Sequence, residues 1–451
     1  MSETDFVWKC EPKAENLVLS ILNEGLKLNP FIQNLSHDLE KRTSTRLFDW
    51  LDHVAITSNE TLEKDLSESG FVHQDATSHY RVFHHPGAKL PRIVLKDQEG
   101  ASNSIEIAAS VESIADFNMV RGLSCRIEGS LLSGYRRCYI VTENNVSFLA
   151  IERRGTLTLE PTHYDSSYSE KYLLAQEKWQ TRLRGLLDED EMMQQTIRIA
   201  DQLVALVGEN VAAWIVLDIE RKYWQAKNMA GKLQKNRQDS LGFGWANHDH
   251  HTFRSSRKHF SQLVRLFEML GFHCRERYYA GEEAGWGAQV MENPISNLVL
   301  FLDVDLDKSE IKVDFAHQPL PEINEYGTIG LWTALHGDSI LKAGMHHLEA
   351  QFMFEELTSD LHHLGVGMMD PFSSFPFLKQ AFTAGEIWHV DSKRINQLYE
   401  EGKITIEMRD KFIAHGAVGS HLENLQRREG YKGFNQKNVS VIIKKTDPRK
   451  I

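Results

Sequence analysis

Three short stretches in the second half of the chain carry residue types that bind metals. They are His250-His251-Thr252-Phe253-Arg254, His346-His347-Leu348-Glu349 and Gly385-Glu386-Ile387-Trp388. Each reads as a β-strand, and together they supply two imidazoles and one carboxylate. Two His and one carboxylate on one face of a metal leave positions open for substrate and dioxygen, as in non-haem Fe(II) oxygenases. A metal-dependent enzyme is therefore the first reading.

Strand side chains alternate faces, which sorts the candidates. In the first stretch His250, Thr252 and Arg254 share a face, and His251 and Phe253 take the other. A guanidinium grips a carboxylate through two parallel hydrogen bonds, so a chelating acid wants Arg beside the metal. Only His250 puts metal and Arg254 on one side, so it is preferred to His251. In the second stretch His347, Glu349 and Gln351 share a face. Glu349 would orient an imidazole or touch substrate, and Gln351 is a candidate substrate contact. In the third, Glu386 and Trp388 point together. A carboxylate among Phe382, Ala384 and Ile387 is costly to bury unpaired, and a metal would offset that cost. An edge strand with Glu386 in solvent is the equal alternative. The expected ligands are His250, His347 and Glu386, with Trp388 shielding the site from water.

These residues need strands to hold them, and the element pattern supplies strands in repeated units. Helical spacing fills much of residues 1–45, and 48–57 reads as a strand. A helix over 60–68 stops at Gly70. Strands follow at 80–84, 92–96, 104–108, 139–142 and 146–152. Residues 167–235 change to two or three helices, and the charge run at 232–237 reads as a solvated loop or helix end. From Trp245 the pattern returns: strand 250–253, helix 256–270 ended by Gly271, then strands at 274–279, 287–291 and 298–304. A further cycle has strand 347–352, helix 354–364, Gly365, and strands at 382–390 and 439–444. A βαβββ unit used repeatedly and paired into curved sheets is the vicinal-oxygen-chelate architecture. The expected class is α+β: 1–166 a degenerate half, 167–240 a helical connector, 241–451 the metal-binding catalytic half.

Composition narrows the functions. At 451 residues, 41% hydrophobic and 25% charged, the chain is that of a soluble globular protein too long for one core. A net charge of -12 argues against a general nucleic-acid or anionic-membrane surface. Met1–Asp5 lacks the start of a secretory signal, and no apolar run spans a bilayer, so a cytoplasmic location is expected. Cys10, Cys125, Cys138 and Cys274 have no metal-binding spacing and read as reduced thiols. The pair His362-His363 falls on a predicted helix, and His84-His85 precedes Pro86 in a turn. Gly285-Trp286-Gly287 reads as a hairpin. Walker, dinucleotide and Gly-x-Ser-x-Gly signatures are missing.

Over residues 245–430 the chain resembles the 2-oxoadipate dioxygenase/decarboxylases, non-haem iron enzymes of vicinal-oxygen-chelate-like fold. Family members carry His-Gly-Ala-Ile-Arg, then Met-Gly-Met and Tyr-Tyr…Ala-Gly. Here His250–Arg254 is followed by Met269-Leu270-Gly271-Phe272, Tyr278-Tyr279 and Ala284-Gly285. The family's Asn-His-Leu-Thr is similar to His346-His347-Leu348-Glu349, and its Phe-Gly-Glu-Ile-Glu-Gln-Arg to Ala384-Gly385-Glu386-Ile387-Trp388. Ala417–Leu425 is similar to a further family segment. The chain departs in having His251 for Gly, in lacking the Glu-Gln-Arg, and in its shorter spacings.

The resemblance implies Fe(II) held by His250, His347 and Glu386, chelating a 2-oxo acid beside dioxygen. Decarboxylation and hydroxylation of that same molecule would follow, with Arg254 anchoring its carboxylate. The competing readings are a glyoxalase-type metal lyase or isomerase, and a metal-free binding protein of the same fold. In the first half, residues 52–57 with their helix parallel the His347 cycle. Phe148–Gly155 is similar to the glutamate strand, with Ala150 where the ligand would stand. A methyl group cannot replace a carboxylate ligand, so structural or regulatory duty is expected there. His53 as a working ligand is the sharper alternative.

Overall fold

Two prolines and one asparagine set the first turn of the chain. Pro12 opens α1 (Pro12–Leu28) and Pro30 opens α2 (Pro30–Thr43), where a missing N–H costs nothing. Asn29 between them caps α2, its side chain accepting from the amides of Phe31 and Ile32. The computed structural model describes residues 8–77, 79–97, 104–185, 188–282, 284–434 and 447–450.

The strands come in four modules. The first is β1 (Leu51–Thr57), α3 (Glu60–Glu68), β2 (Val72–Ala76), β3 (Tyr80–His84) and β4 (Arg92–Lys96). The second is β5 (Ile105–Ser110), α4 (Ile114–Val120), β6 (Ile127–Glu128), β7 (Tyr135–Glu143) and β8 (Val146–Arg153). Helices α5 (Ser166–Gln180), α6 (Glu189–Val207), α7 (Glu209–Gln225) and α8 (Met229–Asp239) come between. The third module is β9 (His248–Arg254), α9 (Phe260–Met269), β10 (His273–Tyr279), β11 (Trp286–Asn293) and β12 (Leu298–Asp305), and α10 (Thr328–His336) follows it. The fourth is β13 (His347–Gln351), α11 (Phe354–His363), β14 (Ser373–Phe375), β15 (Leu378–Phe382) and β16 (Glu386–Trp388), then α12 (Ser392–Glu400), α13 (Ile406–His415) and β17 (Ala417–Arg427).

The strand order is β2-β3-β4-β1-β5-β8-β7-β6 in one sheet and β10-β11-β12-β9-β13-β17-β15-β14 in the other. Within each module the first and last strands run parallel, β1 with β4, β5 with β8, β9 with β12 and β13 with β17. Modules join through antiparallel pairs of their first strands. The result is an α+β protein of two vicinal-oxygen-chelate-like curved mixed sheets. A parallel return needs a crossover, which α3 and α9 provide. Each stops at a glycine in the left-handed region, Gly70 (φ 85°) and Gly271 (φ 75°), where a Cβ would be strained.

Amphipathic faces hold the layers together. Leu263, Val264, Leu266 and Phe267 on α9 are buried, each contributing roughly 1.5–3 kcal/mol through area removed from water. One core joins the second sheet to α5–α7, through residues such as Trp179, Val216, Phe253 and Leu300. Another joins the first sheet to α1, α2 and α4, through Val18, Leu35, Ile107 and Phe148. Backbone bonds link the halves: Met353 N–H to Ser44 O at 2.7 Å and Lys89 N–H to Gly430 O at 2.9 Å.

Several elements differ from expectation. The segment after β8 holds four helices, and the charge run 232–237 lies inside α8 with Gln234 buried. The expected strand at 382–390 is two pieces, β15 ending at Phe382 and β16 starting at Glu386. The expected strand at 439–444 lies outside the described residues. All four cysteines are free. Among the described residues, no helix is long and apolar enough to cross a membrane.

Candidate metal centre

The first strands of the third and fourth modules lie side by side at the middle of the second sheet. His250 stands opposite Glu349, and Thr252 opposite His347. Across the next ladder Glu349 stands opposite Glu423 on β17. Alternation turns His250, His347 and Glu423 to one concave face, and their ligand atoms lie within 4.8 Å of one another. His347 Nε2 is 3.1 Å from Glu423 Oε2, and the imidazole rings of His250 and His347 are 6.1 Å apart.

The structure therefore puts Glu423 beside the two imidazoles, not Glu386. After Phe382 the chain turns out of the sheet. The Thr383 amide bonds to Leu422 O, and β16 then pairs with the start of β17, Glu386 facing Ser420. There Glu386 is only half-buried and its Oε2 accepts the amide of Met229 at 2.9 Å, at the start of α8. Trp388 is equally remote. Its Nε1 donates to Lys227 O at 3.1 Å and the Lys227 ammonium sits 3.9 Å from its ring. Gln351 does not face the cavity; its amide donates to Asp249 Oδ2 at 3.1 Å. His251 points to the opposite side of the sheet, where Arg221 lies 3.2 Å from its Nε2. Glu423 did carry a signal: a lone acid between Leu422 and Leu425 would be costly to bury unpaired.

Each ligand is held from behind. Asp249 lies 3.4 Å from His250 Nδ1 and is gripped by Arg427 Nε and Nη2 at 3.1 and 3.0 Å. Burial works against the charge of Asp249, but Arg427 and Lys89 hold its carboxyl well below the usual range. His347 Nδ1 meets His346 Nδ1 at 3.0 Å, leaving Nε2 toward Glu423 and Thr252. Burial brings His250 down to about 4 and, with the nearby Arg254 charge, His347 down to about 3. Both rings are thus neutral near pH 7, the form that binds a metal.

The carboxylates show what the site lacks. Glu349 is fully buried and its Oε2 touches His250 Nε2, but among the described residues that oxygen accepts no well-aligned hydrogen bond. Burial first, then the charges of Glu423 and Asp249, push Glu349 well up. Burial likewise raises Glu423 to about 7. Gln380 Nε2 bridges the two, 3.3 Å from Glu349 and 3.0 Å from Glu423. Neutral imidazoles and under-compensated acids on one face fit a divalent cation, which would turn their mutual repulsion into coordination.

A narrow cavity of about 70 Å³ opens over these side chains, walled by Phe301, Phe372, Phe382 and Phe434. Arg254 lines it, 3% exposed, with Nε and Nη1 finding no hydrogen-bond partner among the described residues. Its nearest carboxylate, Asp303, lies 3.9 Å away and is raised by burial to about 7. Tyr278 and Trp286 also line the cavity, and among the described residues Oη and Nε1 have no hydrogen-bond partner. Unpaired donors around a metal-sized acid cluster suit a small anion.

No family model matches the chain, and no curated protein matches it. Among solved structures, a mutant of 4-hydroxymandelate synthase from Streptomyces coelicolor aligns over 89% of this chain and 98% of its own, at 10% identity and TM-score 0.29. A Shewanella frigidimarina protein provisionally assigned as a hydrolase covers 48% of this chain and 94% of its own, at 16% identity and TM-score 0.32. Methylmalonyl-CoA epimerase from Mycobacterium tuberculosis covers 41% of this chain and 89% of its own, at 12% and 0.24. Likenesses this weak say nothing about chemistry, which is a matter of the side chains in the cavity.

Proposed function

We propose that the chain is an Fe(II)-dependent dioxygenase of a compact 2-oxo acid, decarboxylating and hydroxylating the same molecule. The carrying observation is the convergence of His250, His347 and Glu423 beside the buried guanidinium of Arg254, whose Nε and Nη1 find no hydrogen-bond partner among the described residues. Bound to those three side chains, the metal supplies Lewis-acid polarisation and open positions for the acid and dioxygen.

The protein's own part is positioning and exclusion of water. Arg254 grips a carboxylate of the acid and so fixes which end faces the ligands. Tyr278 and Trp286 offer further donors to it, and the four phenylalanines keep bulk water out. Gln380 keeps Glu349 and Glu423 apart and oriented. The third-ligand count also follows from local symmetry. Exchange of β9 and β13 swaps His250 with His347 and Thr252 with Glu349, so the mate of Glu423 is the residue opposite Thr252, which is Phe301. That quadrant is apolar and leaves coordination positions free.

One observation favours a metal-dependent lyase or isomerase instead: Glu349 is near enough to His250 to serve as a fourth ligand. Anaerobic loading with Fe(II), followed by a screen of 2-oxo acids for oxygen uptake and carbon dioxide release, separates the two. Oxygen uptake that tracks added Fe(II) supports the dioxygenase. Turnover that continues unchanged without oxygen replaces it by the lyase.

A further inference from the structure

On the far side of Phe434 from the metal centre lies a second pocket, about 140 Å³ in volume. Lys89, Arg275, Arg427 and Lys432 face it, against the carboxylates of Asp249 and Glu292. Four cations converge there in a chain whose net charge is -12.

The two arginines are already committed. Arg427 spends Nε and Nη2 on Asp249 and Nη1 on Gly433 O at 2.6 Å. Arg275 holds Glu276 at 3.1 and 2.6 Å and Glu292 at 3.2 Å. The lysines are held more loosely, in long ion pairs, with Lys432 also 5.0 Å over the Trp8 ring. Lys89 Nζ stops 3.8 Å from Asp249, and Lys432 Nζ stops 3.7 Å from Glu292. Neither donates a hydrogen bond to any described residue, although both side chains are only 23% exposed. Burial lowers Lys432, Glu292 opposes it, and the neighbouring Arg275 and Lys89 charges lower it further.

Ammonium groups with unspent donors beside an excess of positive charge form an oxyanion site, for which lysine acts as a point charge. We infer that this pocket binds one small oxyanion of phosphate size, held by Lys89 and Lys432 between the fixed guanidinium groups of Arg275 and Arg427. Phe434 separates it from the metal centre, its ring 5.0 Å from His250 on one side and 4.9 Å from Arg427 on the other.

Calorimetric titration of the full chain with inorganic phosphate, with sulfate and glucose 6-phosphate as parallel arms, tests it. One saturable site per chain is expected. The double variant Lys89→Gln, Lys432→Gln should weaken it at least about tenfold, the scale of one charged hydrogen bond. Arg254→Gln, in the other cavity, should leave affinity within about twofold. The charge-conserving Lys89→Arg, Lys432→Arg should retain binding, which separates loss of charge from loss of fold. Tighter binding of the sugar phosphate assigns the site to a phosphoryl ester, and tighter binding of phosphate assigns it to the free anion. Absence of saturable binding in the millimolar range overturns the inference, as does equal affinity in the Gln variant or loss in Arg254→Gln.

Discussion

An imidazole serves a metal only when it is neutral and aimed, and the two candidate ligands meet those conditions by different means. His250 leans on Asp249, itself pinned by Arg427, whereas His347 is turned by its neighbour His346. Partners of this kind typically change metal affinity 10–100-fold, so Asp249→Asn should weaken Fe(II) binding by about that factor. Competition against a chelator of known affinity measures it, and an unchanged constant would show that Asp249 serves only Arg427. The carboxylate ligand gives a sharper contrast. Glu423→Ala should lose metal and turnover together, because the remaining two imidazoles cannot complete the face. Glu386→Ala should keep both. It removes an acceptor from the Met229 amide at the start of α8, at a cost of about 1 kcal/mol in stability. Metal analysis of the two purified variants decides between the carboxylates, and metal lost from Glu386→Ala alone would reverse the assignment.

At the scale of elements, features set by neighbouring residues are legible in the sequence and features set by distant pairing are not. The faces of β9 follow from alternation, and the crossover helices α3, α9 and α11 follow from periodicity and their terminal glycines. Glu386 reads equally as a buried ligand or as a solvent-facing edge residue, because Phe382, Ala384 and Ile387 surround it in sequence. Nothing local reveals that the strand breaks at Thr383–Gly385, or that β17, which begins 66 residues after β13 ends, is the one that lies against β13. Elements also tie to one another through charge. His259 at the start of α9 bonds Asp338 Oδ2 and Asp190 Oδ1, both at 2.9 Å, joining α6 to the turn after α10. Burial opposes its charge, but Asp338 and then Asp190 win and raise it above the usual 6.5. A group raised on folding stabilises fully below its unfolded value, and that contribution fades as pH climbs through the folded one. His259→Gln should therefore lower the melting temperature more at about pH 5.5 than at about pH 8.5. An equal loss at both would show that packing, not charge, is what His259 provides.

Across the whole molecule the first sheet repeats the second, in a way that fixes how many metals one chain can hold. β1 opens with Asp52-His53 as β9 carries Asp249-His250, and Arg153 clasps Asp52 as Arg427 clasps Asp249. His53 is thus the counterpart of His250, not of His347 as its sequence context suggests. His53 stands opposite Ala108, which stands opposite Leu149, just as His250, Glu349 and Glu423 follow one another. The place of the carboxylate ligand therefore falls to Leu149, one residue before the Ala150 expected there. Glu106, two residues before Ala108, takes the place of His347, and its carboxylate is held by the Lys96 ammonium at 2.5 Å. An ammonium thus stands beside the position of one proposed ligand, and a methyl-bearing side chain takes the position of another. His53 keeps its aim, with Nδ1 2.6 Å from Asp52, but among the described residues no set of metal-ligand atoms gathers around it. Fully loaded protein should accordingly carry one Fe(II) per chain. His53→Ala should leave that stoichiometry untouched while His250→Ala empties the protein. Metal counts near two, or a count halved by His53→Ala, would mean that the first sheet still coordinates and that Lys96 yields its place when iron is present.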